Sequence, residues 1–171
     1  IFNDHCADCH GTYGKESVYP LKTVAITELK TDPARLNSLP PNYRAALNLS
    51  WLSRYGKDPV VEDPGGYVAP PLNGVWASAP YFHNGSVPTL WHVLNPQERP
   101  EIWQRTENGY DQTRVGLEVQ TFKKVPKDLS TVQKRLYFDT SQFGKSAKGH
   151  NYPDELTLEQ KKAVLEYLKT L

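Results

Sequence analysis

Methionine is absent from this chain of 171 residues, and cysteine occurs only twice. Without methionine no side-chain thioether is on offer to a metal, so any metal centre must draw on other donors. Two cysteines close at most one disulfide, which excludes a disulfide-built scaffold. A structural zinc site would need two further ligands at a similar short spacing, and the chain has none. Twenty Lys and Arg against 19 Asp and Glu leave a net charge of +1. That gives no strongly basic field to hold phosphates, so nucleic acid is not an expected partner. No apolar run approaches the length of a membrane span. With 38% hydrophobic residues and a mean hydropathy of −0.62, the chain reads as soluble.

Both cysteines lie in one motif, Cys6-Ala7-Asp8-Cys9-His10. C-x-x-C-H is the signature for covalent attachment of a c-type haem. Each thiol adds across a vinyl group, and the histidine that follows becomes the proximal iron ligand. A thioredoxin-type redox pair would be expected near a βαβ pattern, and none is visible. The expected cofactor is therefore one covalent haem c. The missing methionine then has a second meaning, because a c-type haem commonly takes Met as its sixth ligand. Here His5, His83, His92 and His150 are the candidates, or the position is open. A second imidazole makes a closed electron carrier, whereas an open site makes a candidate catalyst. Only Ile1 to His5 precede the motif, with no initiator Met, so the sequence is expected to be a piece of something longer. Attachment of haem c outside the bacterial cytoplasmic membrane makes a periplasmic or secreted location the expectation.

Local signals predict a mainly α chain with long irregular loops. A helix remnant over 1–5 runs into the motif and breaks at Gly11 to Gly14, and residues 15–31 read as loop. Asp32-Pro33 reads as a cap and first helical residue for a short helix over 34–38. Pro40-Pro41 opens a longer helix carrying Tyr43, Leu47, Trp51 and Tyr55 at i+4 spacing, with Leu52 beside them and Gly56 as the stop. That stripe reads as core. Residues 57–87 are rich in Pro and Gly and read as an irregular wrap. Thr89 to Leu94 form a short helix after Pro88, and 95–111 are again irregular. Arg114 to Gln120 and Arg135 to Thr140 are expected to pair as a small antiparallel ribbon. Gly144 to His150 is a turn-rich loop. Thr157 with Gln160 forms a capping box for a final helix that presents Ala163, Val164, Leu168 and Leu171 on one face.

The run from Pro71 to Leu90, PLNGVWASAPYFHNGSVPTL, followed by Pro96-Gln97-Glu98-Arg99-Pro100, resembles the di-haem cytochrome c peroxidase superfamily, most of all its rubber oxygenase branch. Tyr137 to Thr140, Gly149 to Tyr152 and Leu165 to Leu171 resemble the carboxyl end of those proteins. The resemblance implies a single cytochrome c-like domain over 1–171. It also implies a second haem domain in the parent protein, since family members carry two haem motifs and this chain shows one. In the rubber oxygenase branch it implies a bis-histidine haem with the second imidazole from near the carboxyl end, which His150 matches. His83 is the rival ligand, with a hydrogen bond to a propionate or the backbone as its other role.

Supporting candidates are weaker. Arg44, Arg54 and Arg99 could pair with haem propionates by charge. Trp76, Tyr81, Phe82 and Trp91 could wall the haem or simply fill the core. Lys123, Lys124, Lys127, Lys134 and Arg135 read first as a solvated surface, and second as a dock for an acidic redox partner. No residue is assigned a catalytic role. The expected function is electron transfer through one bis-histidine haem, as a free carrier or as the relay domain of a larger redox enzyme, in exchange with a protein partner. The alternative is peroxidase- or oxygenase-type catalysis at an open sixth site.

Overall fold

The computed structural model describes residues 1–51, 53 and 61–171. Two short helices open the chain, α1 (Phe2–His5) and α2 (Ala7–His10). Phe2 is buried, and its ring sits 4.9 Å from that of Tyr167 and 5.9 Å from that of Tyr13. Tyr167 belongs to the last helix, α8 (Leu158–Leu168), so the two ends of the chain hold each other. In α8 the expected capping box is complete. Thr157 Oγ1 accepts from the Gln160 N–H at 3.3 Å, and Gln160 Oε1 accepts from the Thr157 N–H at 2.8 Å. Its buried face is Val164, Leu165 and Leu168, whereas Ala163 points to solvent. The core continues through Val75, Tyr81, Val87, Leu90, Leu94 and Val115.

Between the ends run β1 (Thr23–Ala25), α3 (Ile26–Leu29), α4 (Ala34–Asn37), α5 (Pro41–Asn48), β2 (Gly66–Val68), α6 (Leu90–Leu94), β3 (Ile102–Asp111), β4 (Gly116–Phe122), α7 (Thr131–Lys134) and β5 (Phe138–Asp139). Helix is 35% and strand 17% of the protein, with two antiparallel sheets, so the mainly α expectation is overturned. The strands that sequence patterning misses are the non-local ones. β1 pairs with β2 across more than forty residues, within segments that read as loop. β3 occupies 102–111, within the stretch 95–111 that reads as irregular, where Gln104 to Gly109 are polar. It carries a register shift between Arg105 and Tyr110. The expected ribbon is corrected in its pairing: the order is β4-β3-β5, so the two segments expected to touch are separated by β3.

Helix α5 ends at Asn48, and Tyr43 and Trp51 are exposed, so the aromatic stripe is not core. Leu52, Tyr55 and Gly56 lie outside the described residues. α4 starts at Ala34 as expected and ends one residue earlier, at Asn37; its N-cap is Pro33 and not Asp32, whose Oδ1 accepts from the Ala34 N–H at 2.8 Å just ahead of the helix. α6 is capped by Thr89, whose Oγ1 accepts from the His92 N–H. The three-stranded sheet is tied back to the domain at Trp103. That ring stacks on Phe138 at 5.0 Å and donates from Nε1 to the Ser86 carbonyl at 3.2 Å.

Candidate metal centre

Cys6, Cys9 and His10 sit at i, i+3 and i+4 across the α1–α2 junction, a spacing that places side chains on one helical face. The His10 N–H donates to the Cys6 carbonyl at 2.9 Å, which closes that turn. The cysteines are not bonded to each other. Burial pushes the Cys6 thiol up to about 11 and raises that of Cys9, so both are protonated at neutral pH. A thiol, with its S–H, can add across a carbon–carbon double bond without any change of redox state.

Two straps fix His10, one at its ring and one at its backbone. Its Nδ1 lies 2.8 Å from the Pro70 carbonyl. A carbonyl only accepts, so the proton is on Nδ1 and the lone pair is on Nε2, as a metal ligand requires. Tyr13 forms the second strap: its hydroxyl donates to the His10 carbonyl at 2.9 Å and accepts from the Leu72 N–H at 2.6 Å. Burial lowers the His10 pKa, which favours the neutral ring.

Facing His10 is His150, at the end of the loop that precedes a 3₁₀ turn over Tyr152–Glu155. The two ring centres are 6.2 Å apart with planes at 66°. A metal–imidazole bond is about 2.0 Å and a ring nitrogen lies about 1.2 Å from its ring centre, so two imidazoles on opposite sides of one metal have centres about 6.4 Å apart. The observed spacing fits a metal held between the rings. Burial, with His10 and Arg99 nearby, lowers the His150 pKa to about 4, so this ring too is neutral. Its Nδ1 is buried without a hydrogen-bond partner, a state that buried polar atoms rarely keep unless something else satisfies them. Among the described residues no group of three or more His, Cys, Asp or Glu stands ready to hold a bare ion. Two opposed imidazoles need their equatorial donors from elsewhere, and a porphyrin supplies four. The residues present therefore fit a haem.

The other candidates divide. Phe82 stands beside the pair, its ring 6.0 Å from that of His150. His83 does not join it. That ring stacks on Tyr67 at 4.2 Å, and its Nε2 is buried without a partner, free to donate to an anionic group. Trp76 is 46% exposed and lines a surface cleft with Tyr110, Val115 and Lys169, so the structure does not bring it to the imidazoles. Tyr81 is core, and its hydroxyl donates to the Val75 carbonyl at 2.9 Å. Trp91 donates from Nε1 to Glu98. His92 is buried, with Nδ1 2.8 Å from Thr89 Oγ1. His5 is exposed on α1.

The arginines are not arranged as charge alone suggested. Arg44 pairs with Asp63, and Arg54 lies outside the described residues. Arg99 directs its N–H groups at backbone carbonyls, with both Nη1 bonds, at 2.7 Å, going to the loop that carries His150. Its expected propionate role is replaced by that one. Sequence reasoning also missed Tyr13 and Pro70. The Ala69-Pro70-Pro71 run was the available signal, since a proline-stiffened carbonyl is a suitable acceptor for a ligand imidazole.

Residues 66–104 match a family model described as RoxA-like, cytochrome c-like. That match supports a cytochrome c-like domain related to the rubber oxygenase family, and with it haem-based electron transfer. The chain is also similar to two uncharacterized proteins of Sinorhizobium fredii (strain NBRC 101917 / NGR234). It is 59% identical to y4iM over 51 residues, covering 30% of this chain and 12% of the relative. It is 35% identical to y4iJ over 121 residues, covering 65% of this chain and 19% of the relative. The chain thus spans under a fifth of the length of either relative.

Proposed function

We propose that this chain is an electron-transfer domain holding one haem c through Cys6 and Cys9, with His10 and His150 as its two axial ligands. The opposition of the two imidazoles at 6.2 Å carries the reading. When bound, the haem supplies a one-electron ferric–ferrous couple. His10 presents Nε2 because Pro70 holds the Nδ1 proton. His10 and His150 would hold the haem iron between them, and with both in place no position would be left for peroxide or oxygen. Phe82 excludes water beside the His150 ring, and His83 Nε2 is placed to donate to a propionate. Ligation by two neutral imidazoles gives a lower potential than His/Met ligation.

The proposed setting is periplasmic or secreted, where c-type haem is attached. The electron partner is a protein surface, either a separate carrier or another domain of the parent chain. Among the described residues no helix is long and apolar enough to cross a membrane. The test is an intact-mass measurement with a pyridine haemochrome spectrum, followed by addition of cyanide and peroxide to the ferric protein. One haem per chain, bound by two thioethers and unchanged by either reagent on mixing, with cyanide binding only slowly, is the expected result. A ferric spectrum that shifts promptly with peroxide establishes an open site and favours peroxidase-type catalysis.

A further inference from the structure

Residues 145–151 form no helix or strand, so nothing regular aims the His150 ring. Moreover, His150 holds a φ of +51°, a left-handed value uncommon for any residue other than glycine. Such a conformation persists only where its surroundings impose it. Two elements do so. On one side the His150 N–H donates to the Leu29 carbonyl at 2.9 Å. On the other lies Arg99, in the turn after α6.

We infer that Arg99 is the positioning residue for the sixth ligand, a clamp that holds the His150 loop against α6. This rests on the bis-histidine reading above. The guanidinium spreads its donors over two segments. Nε donates to the His92 carbonyl at 2.9 Å, and Nη2 donates to the Val93 carbonyl at 3.2 Å, both on α6. Nη1 donates to the Ala147 and Gly149 carbonyls at 2.7 Å each, and Nη2 also reaches the His150 carbonyl at 3.5 Å. All five N–H groups of an arginine are thereby used. The carbon of the guanidinium lies 4.9 Å above the Phe82 ring, the same ring that stands beside His150. Among the described residues no carboxylate forms an ion pair with Arg99, so its charge is met by carbonyl dipoles and a π face. Desolvation lowers its pKa only to about 10, and it stays charged at neutral pH. Lysine has three donors on one nitrogen and cannot span five carbonyls in a plane.

The test compares three variants of the haem-loaded chain with the parent. Arg99→Met removes every donor at similar length, and Arg99→Lys keeps the charge. Asn84→Ala is the control, because Asn84 holds the Gly144 and Ser146 carbonyls of the same loop, upstream of the ligand. The readouts are the ferric spin state and the rate of cyanide binding, each taken well below the melting temperature. Arg99→Met is expected to gain a high-spin fraction and to bind cyanide about tenfold faster or more, the loss of charged hydrogen bonds being the cause. Arg99→Lys should fall between it and the parent, and decides the matter if Arg99→Met does not fold. Asn84→Ala should melt lower but bind cyanide at the parental rate. The inference is overturned if the Arg99 variants lose only stability and match Asn84→Ala in cyanide rate. A parent chain that is not low-spin overturns the bis-histidine reading itself, and the two failures are thus distinct.

Discussion

Replacing Gly149 by alanine probes the loop that carries His150 at its tightest point. Gly149 has φ +82°, and a Cβ built there would lie 2.4 Å from Lys30 C and 2.5 Å from Leu29 O. Both are backbone atoms that cannot rotate away. The left-handed conformation costs an L-residue about 1–2 kcal/mol. Forcing a methyl group against fixed backbone adds about 1–3 kcal/mol. The sum, about 2–5 kcal/mol, corresponds to a fall in Tm of about 5–15 °C for a protein of this size. Gly144→Ala separates the two contributions. Its φ of +77° is similar, but its added Cβ would meet only Ala34 Cβ at an ordinary 3.5 Å. The assay is thermal unfolding of the haem-loaded chain, read at the haem band and by circular dichroism. Gly149→Ala should lose roughly twice the stability of Gly144→Ala, and it alone should disturb the ferric spectrum, because relief of the clash moves His150 away from His10. Equal losses for the two variants, with unchanged spectra, would refute the close approach of the loop to residues 29–31.

Further expectations can be checked in the same preparations. His150→Ala should turn the ferric haem from low-spin to high-spin and open it to cyanide, and added imidazole should restore the low-spin spectrum. His92 is buried and its pKa is lowered to about 4 by desolvation, against about 6.5 in an unfolded chain. Because the folded value is the lower one, its contribution to stability is complete above about pH 6.5 and is lost as pH falls toward 4, by about 3 kcal/mol in total. Urea midpoints at pH 7.5, 5.5 and 4.5 should therefore fall less steeply with pH in His92→Asn than in the parent. Lys127 and Lys134 are exposed. Reversing both to Glu should change stability by less than about 0.5 kcal/mol. Stopped-flow electron exchange with an acidic carrier at 0.15 M salt should also keep its rate; a several-fold drop would make this stretch a dock.

What was legible in the sequence was what is local. Cys6, Cys9 and His10 are read together because the attachment chemistry needs them within one helical turn. The Thr157–Gln160 box marks α8 because both partners of the reciprocal bond lie three residues apart. The same reciprocal pair, Ser130 with Gln133, marks α7. What was not legible depends on distant partners. β1 and β2 are separated by more than forty residues, and neither carries an alternating pattern long enough to reveal it. β3 hides behind polar residues because its sheet is covered chiefly at Trp103. The stripe at Tyr43 and Trp51 has helical spacing, yet both rings are exposed, since spacing reports a face and not its burial. The absence of Met leaves His150 as one of four candidate ligands, and only the resemblance singles it out, as nothing in its local run points toward His10. Arg99 was seen as a charge, whereas its role lies in carbonyls 48 to 51 residues further along the chain.

The central claim is that two opposed imidazoles hold one haem iron, and low-temperature electron paramagnetic resonance of the ferric, haem-loaded chain tests it most directly. A low-spin signal characteristic of two nitrogen ligands from imidazoles, unchanged by cyanide on mixing and lost in His150→Ala, is the result expected. A high-spin axial signal in the parent chain, or a low-spin signal that survives in His150→Ala, would contradict it.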